Sequence, residues 1–204
     1  MKVVRLRGRE TVYSSNVYLV LGSWNKLDDV NTLVDVGPDG FVLSEVWSLS
    51  TGVGKVPVEQ VVLTHSHSDH AGGVGTIKGA LNPIVIAQTK CPGVDRIVES
   101  GDIIRMGDRE FEVLPVPDHS SDSVCLLCCE EGVVFTGDTT LSLHDSSESH
   151  SREFIAFLER LLTCRVRLIY PGHGAAIENG VEHMISESLR IAKGGMCLRK
   201  PVSV

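Results

Sequence analysis

Residues 64–73 read Thr64-His65-Ser66-His67-Ser68-Asp69-His70-Ala71-Gly72-Gly73, which places three histidines and one aspartate within six residues. This stretch directly follows Val61-Val62-Leu63, an apolar run that predicts a buried strand. Side chains two residues apart in an extended segment face the same side, so His65 and His67 can reach one metal ion. A turn into the glycine-rich residues can redirect Asp69 and His70 toward a neighbouring ion. Imidazole and carboxylate ligands together suit zinc, and they also suit iron or manganese.

Three further candidate ligands stand at the ends of predicted strands. His119 follows Val116-Pro117-Asp118, Asp138 closes Thr136-Gly137-Asp138, and His173 lies within Tyr170-Pro171-Gly172-His173-Gly174. The alternative is that these are polar loop residues that never meet. The order, the spacing and the strand-end placement of the set all favour a shared metal site.

The order of these motifs, His-x-His-x-Asp-His, an isolated His, Gly-Asp and Pro-Gly-His-Gly, resembles the metallo-β-lactamase-fold superfamily. The hydrolase branches of that superfamily are the most similar, namely glyoxalase II, the lactonases and the beta-lactamase-like endoribonuclease. The resemblance extends from the first predicted strands through His173. It implies the α/β class and an αββα sandwich of two mixed sheets with outer helices, with metals at the open edge between the sheets.

The resemblance also implies a role for each candidate ligand. One ion is expected on His65, His67 and His119, the other on Asp69, His70 and His173, with Asp138 bridging the two. Two ions roughly 3.5 to 4 Å apart can share a hydroxide, because metal binding lowers the pKa of water toward about 7. That hydroxide is the expected nucleophile, and Asp69 or a metal-bound water is expected to protonate the leaving group. Asp69 and Asp138 are thus the predicted catalytic residues.

Asp35, in Val34-Asp35-Val36-Gly37, matches an acidic position that the superfamily places under the histidine loop. The resemblance implies that Asp35 orients ligand histidines through hydrogen bonds and does not bind metal itself. The alternative is an ordinary turn carboxylate before Gly37-Pro38.

Five other polar residues are interpreted separately. His183 falls in a predicted helix and is expected on the surface. His144 and His150 flank the acidic, serine-rich residues 145–149, a predicted mobile loop, so substrate contact is an alternative there. Where many relatives have Pro-Gly-His, this chain has Pro117-Asp118-His119. Asp118 and Asp122 therefore either change the local electrostatics or cap a turn.

The remaining pattern alternates short strands with helices. Branched and apolar runs between turn residues predict strands at 16–21, 32–36, 61–63, 84–87, 123–129, 133–135 and 166–169, with a hairpin over 102–116. Apolar residues at helical spacing predict helices at 41–49, 151–162 and 180–192.

Composition limits the class of protein. The chain has 204 residues, 42% of them hydrophobic and 22% charged, and no linker-like segment, so we expect one metallo-β-lactamase-like domain over residues 1–204. The formal charge of -7 argues against nucleic acid as a partner. No apolar run approaches the length of a membrane span, and no secretory signal is apparent at the amino terminus. We therefore expect a cytoplasmic protein whose six cysteines are reduced thiols.

The sequence thus predicts a metal-dependent enzyme, a dinuclear zinc hydrolase acting on a small ester, thioester or lactone. Phosphodiester cleavage is an alternative substrate class. A second alternative is a mononuclear iron oxidoreductase similar to persulfide dioxygenases, since iron or manganese also suits the ligands. A third is a non-catalytic binding module. Only 31 residues follow His173, whereas glyoxalase II continues into a glutathione-binding domain. The expected partner is a small molecule, and a homo-oligomer is left open.

Overall fold

The structure, a computed structural model, describes residues 1–6, 13–143 and 150–197. Its first sheet has six strands in sequence order. The first three are antiparallel and the rest are parallel. They are β1 (Lys2–Leu6), β2 (Val17–Leu21), β3 (Thr32–Val34), β4 (Gln60–Val62), β5 (Ile84–Ala87) and β6 (Arg96–Ile97).

The second sheet has five strands, in the order β11-β10-β9-β8-β7. Its strands are β7 (Ile103–Met106), β8 (Arg109–Pro115), β9 (Val124–Cys128), β10 (Val133–Gly137) and β11 (Leu168–Pro171). Neighbours are antiparallel except β10 and β11, which run parallel because a helix crosses between them. The carboxyl ends of β8, β10 and β11 therefore lie at the same edge of this sheet.

Within the described residues, five helices accompany the sheets. They are α1 (Leu43–Ser48), α2 (Ser68–Ala71), α3 (Val74–Leu81), α4 (Arg152–Thr163) and α5 (Val181–Cys197). Helix α4 begins where the Ser151 hydroxyl oxygen accepts a hydrogen bond from the Phe154 amide, which satisfies a backbone donor at the helix start.

Three apolar layers show how the sheets and helices pack. In β2, Leu19 and Leu21 face outward with Ile77 of α3, whereas Tyr18 and Val20 face the second sheet. The same alternation buries both faces of the second sheet, the outer one against α4 and α5. Each fully buried apolar side chain contributes about 1.5–3 kcal/mol relative to exposure. The layers form the predicted αββα sandwich of two mixed sheets with outer helices.

The element predictions are mostly confirmed, with four omissions. Strand β1 was not predicted, because Lys2 and Arg5 interrupt its apolar residues; it is an edge strand, where charged side chains are common. Helix α3 was not predicted either, since Gly75 and Gly79 weaken its helical pattern. The other two omissions are the four-residue helix α2, where only a turn was expected, and the two-residue strand β6. The expectation of one domain over residues 1–204 stays a prediction.

The cysteines correct one expectation. Cys125 and Cys128 are buried free thiols in β9, as predicted. The expectation of reduced thiols is wrong for Cys129 and Cys164, which the structure joins in a disulfide. Their Cα atoms are 4.8 Å apart, because the β9–β10 turn packs against the end of α4, and this separation suits a bridge.

Among the described residues, none of the helices has the length and apolar character needed to cross a membrane.

Candidate metal centre

All seven predicted ligands lie at one edge of the sandwich. His65 and His67 follow β4, and Asp69 and His70 belong to the short helix α2. The other three follow β8, β10 and β11, whose carboxyl ends share an edge; they are His119, Asp138 and His173. Residues far apart in sequence therefore meet because of the strand order.

The first group of potential ligands is formed by three histidines. His67 Nδ1 is 3.0 Å from His65 Nε2 and 3.0 Å from His119 Nε2. Two nitrogens on one tetrahedral zinc ion stand about 3.3 Å apart when each metal–nitrogen bond is about 2.0–2.1 Å. His65 is buried and the other two are exposed, so the group opens to solvent.

The second group lies beside the first and contains Asp69, His70, Asp138 and His173, whose potential ligand atoms lie within 4.8 Å of one another. His173 Nε2 is 3.1 Å from Asp69 Oδ2, and His70 Nε2 is 3.7 Å from the same oxygen. This is a mixed imidazole and carboxylate set, which suits a borderline divalent cation.

Asp138 connects the two groups. Its Oδ1 is 3.2 Å from His70 Nε2, and its Oδ2 is 3.6 Å from both His119 Nε2 and His173 Nε2. His70 Nε2 and Asp138 Oδ1 are buried, and neither makes a well-oriented hydrogen bond within the described part of the chain. Buried polar atoms without partners are rare, and here they point into a space surrounded by ligand types. The residues thus fit a bound metal.

Asp35 lies beneath this cluster and is 2% exposed. Its carboxylate accepts hydrogen bonds from the Thr64 amide and hydroxyl, both at 2.8 Å. It also lies 2.7 Å from His70 Nδ1, which leaves His70 Nε2 directed at Asp138. The geometry matches the orienting role implied by the resemblance and is unlike that of an ordinary turn carboxylate.

Burial and neighbouring charges shift the pKa values of the two buried histidines, His65 and His70, in opposite directions. Burial, reinforced by the positive charge of His70, lowers the pKa of His65 to about 4, so the imidazole is neutral near pH 7 and one ring nitrogen has a free lone pair. Burial also disfavours the charged form of His70, but the carboxylates of Asp35 and Asp138 outweigh it and raise the pKa to about 10. Burial of Asp138 is likewise outweighed by His70, which lowers the carboxyl pKa to about 2. Because metal ligation requires a deprotonated nitrogen, metal binding would release a proton from His70.

The sequence analysis missed the residues that tie the ligand loops together. The Asn16 side-chain amide donates hydrogen bonds to the carbonyls of Pro171 and Gly174, at 2.8 and 3.0 Å. The Ser15 hydroxyl donates to the Asp69 carbonyl at 2.9 Å, so both loops are attached to the start of β2. The only sequence signal was two polar residues immediately before an apolar strand.

Tyr13 was also missed. Its ring stacks on His173 with a centroid separation of 4.9 Å, and its hydroxyl is 3.4 Å from His173 Nε2. The side chain is exposed, so it covers part of the solvent-facing side of His173.

The other polar residues have different positions. Asp122 accepts hydrogen bonds from the Ser66 amide at 2.9 Å and the Ser120 hydroxyl at 2.7 Å, so it ties the histidine loop to the His119 loop. Asp118 and His183 are exposed. His150 packs against the Phe154 ring, and His144 lies outside the described residues.

Gly172 allows the close approach of the His173 loop to the cluster. A Cβ atom there would overlap the Asp138 carboxylate and lie 2.9 Å from the Gly137 carbonyl carbon. We expect Gly172→Ala to displace Asp138 and to lower metal affinity by about 10–100-fold, with a stability loss of about 1–3 kcal/mol. Metal titration and urea unfolding measure the two effects.

Gly75→Ala is the matched control for this variant. A Cβ atom at Gly75 in α3 would meet no atom within 4 Å. We expect unchanged metal affinity and a stability gain of up to about 1 kcal/mol. Wild-type metal affinity in Gly172→Ala would contradict the close-approach argument.

The fold and the cluster define a class of protein, an αββα sandwich with paired His/Asp groups at its open edge. A family model described as the metallo-beta-lactamase superfamily matches residues 11–90 and 87–173. The chain belongs to the metallo-beta-lactamase superfamily.

The individual relatives share limited sequence identity with this chain. An atrochrysone carboxyl ACP thioesterase from Cryptosporiopsis sp. is 26% identical over 184 residues, which cover 87% of this chain and 56% of that protein. A hydroxyacylglutathione hydrolase from Maricaulis maris is 37% identical over 90 residues, or 42% of this chain and 35% of that one. The chain thus spans about half the length of the first of these curated relatives.

Solved structures support the fold. ETHE1 from Myxococcus xanthus superposes with a TM-score of 0.65 and 21% sequence identity, covering 98% of this chain and 93% of that one. At this identity the similarity describes the architecture alone.

Proposed function

We propose that this chain is a metal-dependent hydrolase that holds two zinc ions and cleaves a small ester, thioester or lactone. The observation that carries the proposal is Asp138, whose two oxygens face different histidines of two adjacent ligand groups. A carboxylate in that position suits a pair of ions sharing one bridging ligand.

The names of the relatives support the acyl substrate class. The thioesterase and the hydroxyacylglutathione hydrolase are both named for hydrolysis of an acyl compound. Within the proposed class, the thioesterase name favours a thioester. A small-molecule substrate is part of the proposal, whereas a homo-oligomer and a cytoplasmic location stay predictions from the sequence.

Each ligand has a proposed place. His65, His67 and His119 would hold one ion, Asp69, His70 and His173 the other, and Asp138 both. When bound, the ions would polarise the substrate carbonyl and lower the pKa of a water toward about 7.

The remaining chemistry belongs to the chain's own side chains. Asp35 fixes the His70 ring through the 2.7 Å contact at Nδ1, and Thr64 holds the Asp35 carboxylate in place. Asp69 is partly exposed and lies 3.1 Å from His173 Nε2, at the open side of the cluster. It can therefore accept the proton released by the attacking water and pass it to the departing thiolate or alkoxide.

Two alternative functions would give different experimental results. A mononuclear iron oxidoreductase needs one redox-active ion, whereas zinc has no redox chemistry. The two adjacent groups favour two ions over one. A phosphodiesterase would hydrolyse phosphodiesters and leave thioesters intact.

The test is metal content per chain by elemental mass spectrometry, on protein produced with both zinc and iron supplied, followed by hydrolysis of acetyl and butyryl thioesters, the matching esters and a short-chain lactone. We expect about two zinc ions per chain and thioester turnover. One iron ion with oxygen uptake, phosphodiester cleavage alone, or bound metal with no turnover would each overturn the proposal.

His67→Ala tests the ligand assignment. Removing this imidazole breaks both 3.0 Å contacts of the first group, so we expect metal content to fall by about one ion and turnover by about 10²–10³-fold. His183→Ala, at an exposed position in α5, is the matched control and should behave as the wild type. Full zinc content in His67→Ala would refute this assignment.

A further inference from the structure

A cavity of about 380 Å³ opens beside the metal centre. One wall is formed by the predicted ligands His119, Asp138 and His173. The opposite walls come from the segment after β10, the end of β11 and helix α5. A molecule in this cavity would therefore end at the ligand cluster.

The walls away from the cluster, as far as described residues form them, are mainly apolar and uncharged. Their larger side chains are Leu141, Ile169, Ile177 and Met184, and the polar ones, from threonine and serine, are neutral. Among the residues that the structure describes around the cavity, none is a lysine or an arginine. A phosphate or a charged peptide-like group would lose its hydration there without a compensating cation, whereas an alkyl group would gain by leaving water.

The volume of the cavity limits the size of the ligand. At about 30 Å³ for each water-sized group, the cavity has room for roughly a dozen such groups. This suits a short or medium-length acyl chain and falls within the lower range of ligand pockets.

The opposite side of the cluster is open. His67, which does not line the cavity, is exposed, so a large leaving group can extend into solvent without entering the cavity. The site thus has an apolar side that fits an acyl chain and an open side that fits a carrier.

We propose that this cavity is an acyl-chain subsite, which selects thioesters or esters of apolar acids of about four to eight carbons. The inference rests on the proposed hydrolase function and adds the class of acyl group. Leu141, Ile177 and Met184 contact the chain, and the carbonyl lies at the metal centre.

The first test compares kcat/KM for acetyl, butyryl and hexanoyl pantetheine thioesters. Each buried methylene is expected to raise kcat/KM about fourfold. A size-filling variant, Met184→Trp, should reduce this increase to less than about twofold per methylene. Ile177→Phe is a second filling variant should the first not fold.

Ser186→Trp is the matched control, because it places the same side chain on the exposed face of α5, outside the cavity. It should keep the wild-type dependence on chain length. Loss of that dependence in Ser186→Trp as well would overturn the assignment to this cavity.

A binding measurement separates the subsite from the reaction. Isothermal calorimetry of the metal-loaded protein should show hexanamide binding about 200-fold more tightly than acetamide, since four methylenes are added. Hydrolysis that is independent of chain length, with equal binding of the two amides, would overturn the subsite and leave the hydrolase standing. Selective hexanamide binding without hydrolysis of any thioester, ester or lactone would overturn the hydrolase and support the subsite.

Discussion

An Asp138→Ala variant is expected to lose at least one bound metal ion and about 10³-fold or more of its turnover. Asp138 is the residue within reach of both ligand groups, through the 3.2 Å contact to His70 and the 3.6 Å contacts to His119 and His173. Without it, the cations would lose the bridging negative charge, and His70 would lose one of its three carboxylate neighbours, leaving Asp35 and Asp69. Elemental analysis and thioester kinetics measure the two effects.

Two companion variants make the Asp138 result interpretable. The Asp138→Asn variant keeps the shape of the side chain and removes its negative charge. If the loss of charge inactivates the enzyme, Asp138→Asn should lose nearly as much activity as Asp138→Ala. Asp28→Ala, at an exposed position, should retain wild-type metal content and activity. Two ions and normal turnover in Asp138→Ala would rule out the bridging role.

Asp35→Ala is expected to lower the free energy of unfolding by about 3–5 kcal/mol and to weaken metal binding. The buried Asp35 carboxylate accepts two hydrogen bonds from Thr64 and contacts His70, so its removal leaves several buried polar groups without a partner. Asp35 also has φ = +59°, which adds backbone strain for alanine. Urea unfolding measures the stability change.

The Asp35→Asn variant distinguishes the orientation of the His70 ring from the stability of the folded protein. Asparagine tolerates the left-handed backbone and keeps the size of the side chain, but it cannot accept at both terminal positions. We expect a smaller stability loss and a metal affinity lower by about 10–100-fold, because the His70 ring is no longer fixed. Asp28→Asn is the control. Wild-type metal affinity in Asp35→Asn would mean that Asp35 does not orient a ligand.

Local residue patterns were sufficient to predict most of the strands. The continuous apolar run of β2 and the hairpin of β7 and β8 follow from local composition and turn chemistry. Strand β1 and helix α3 escaped prediction because their formation depends on pairing with β2 and on packing of Ile77. Those contacts connect parts of the chain whose own patterns are weak.

Some features of the candidate site can be identified from the sequence, and others only from the tertiary structure. The sequence by itself determined the chemistry of the ligands, since the histidines and aspartates of residues 65–70 and the motifs at His119, Asp138 and His173 can be identified without coordinates. Only the tertiary structure decided that Asp138 faces both groups, that Ser15 and Asn16 hold the ligand loops, and that an apolar cavity adjoins them. The physical reason is that ligand type is a property of one side chain, whereas a distance between side chains is set by strand order and by packing across the two sheets.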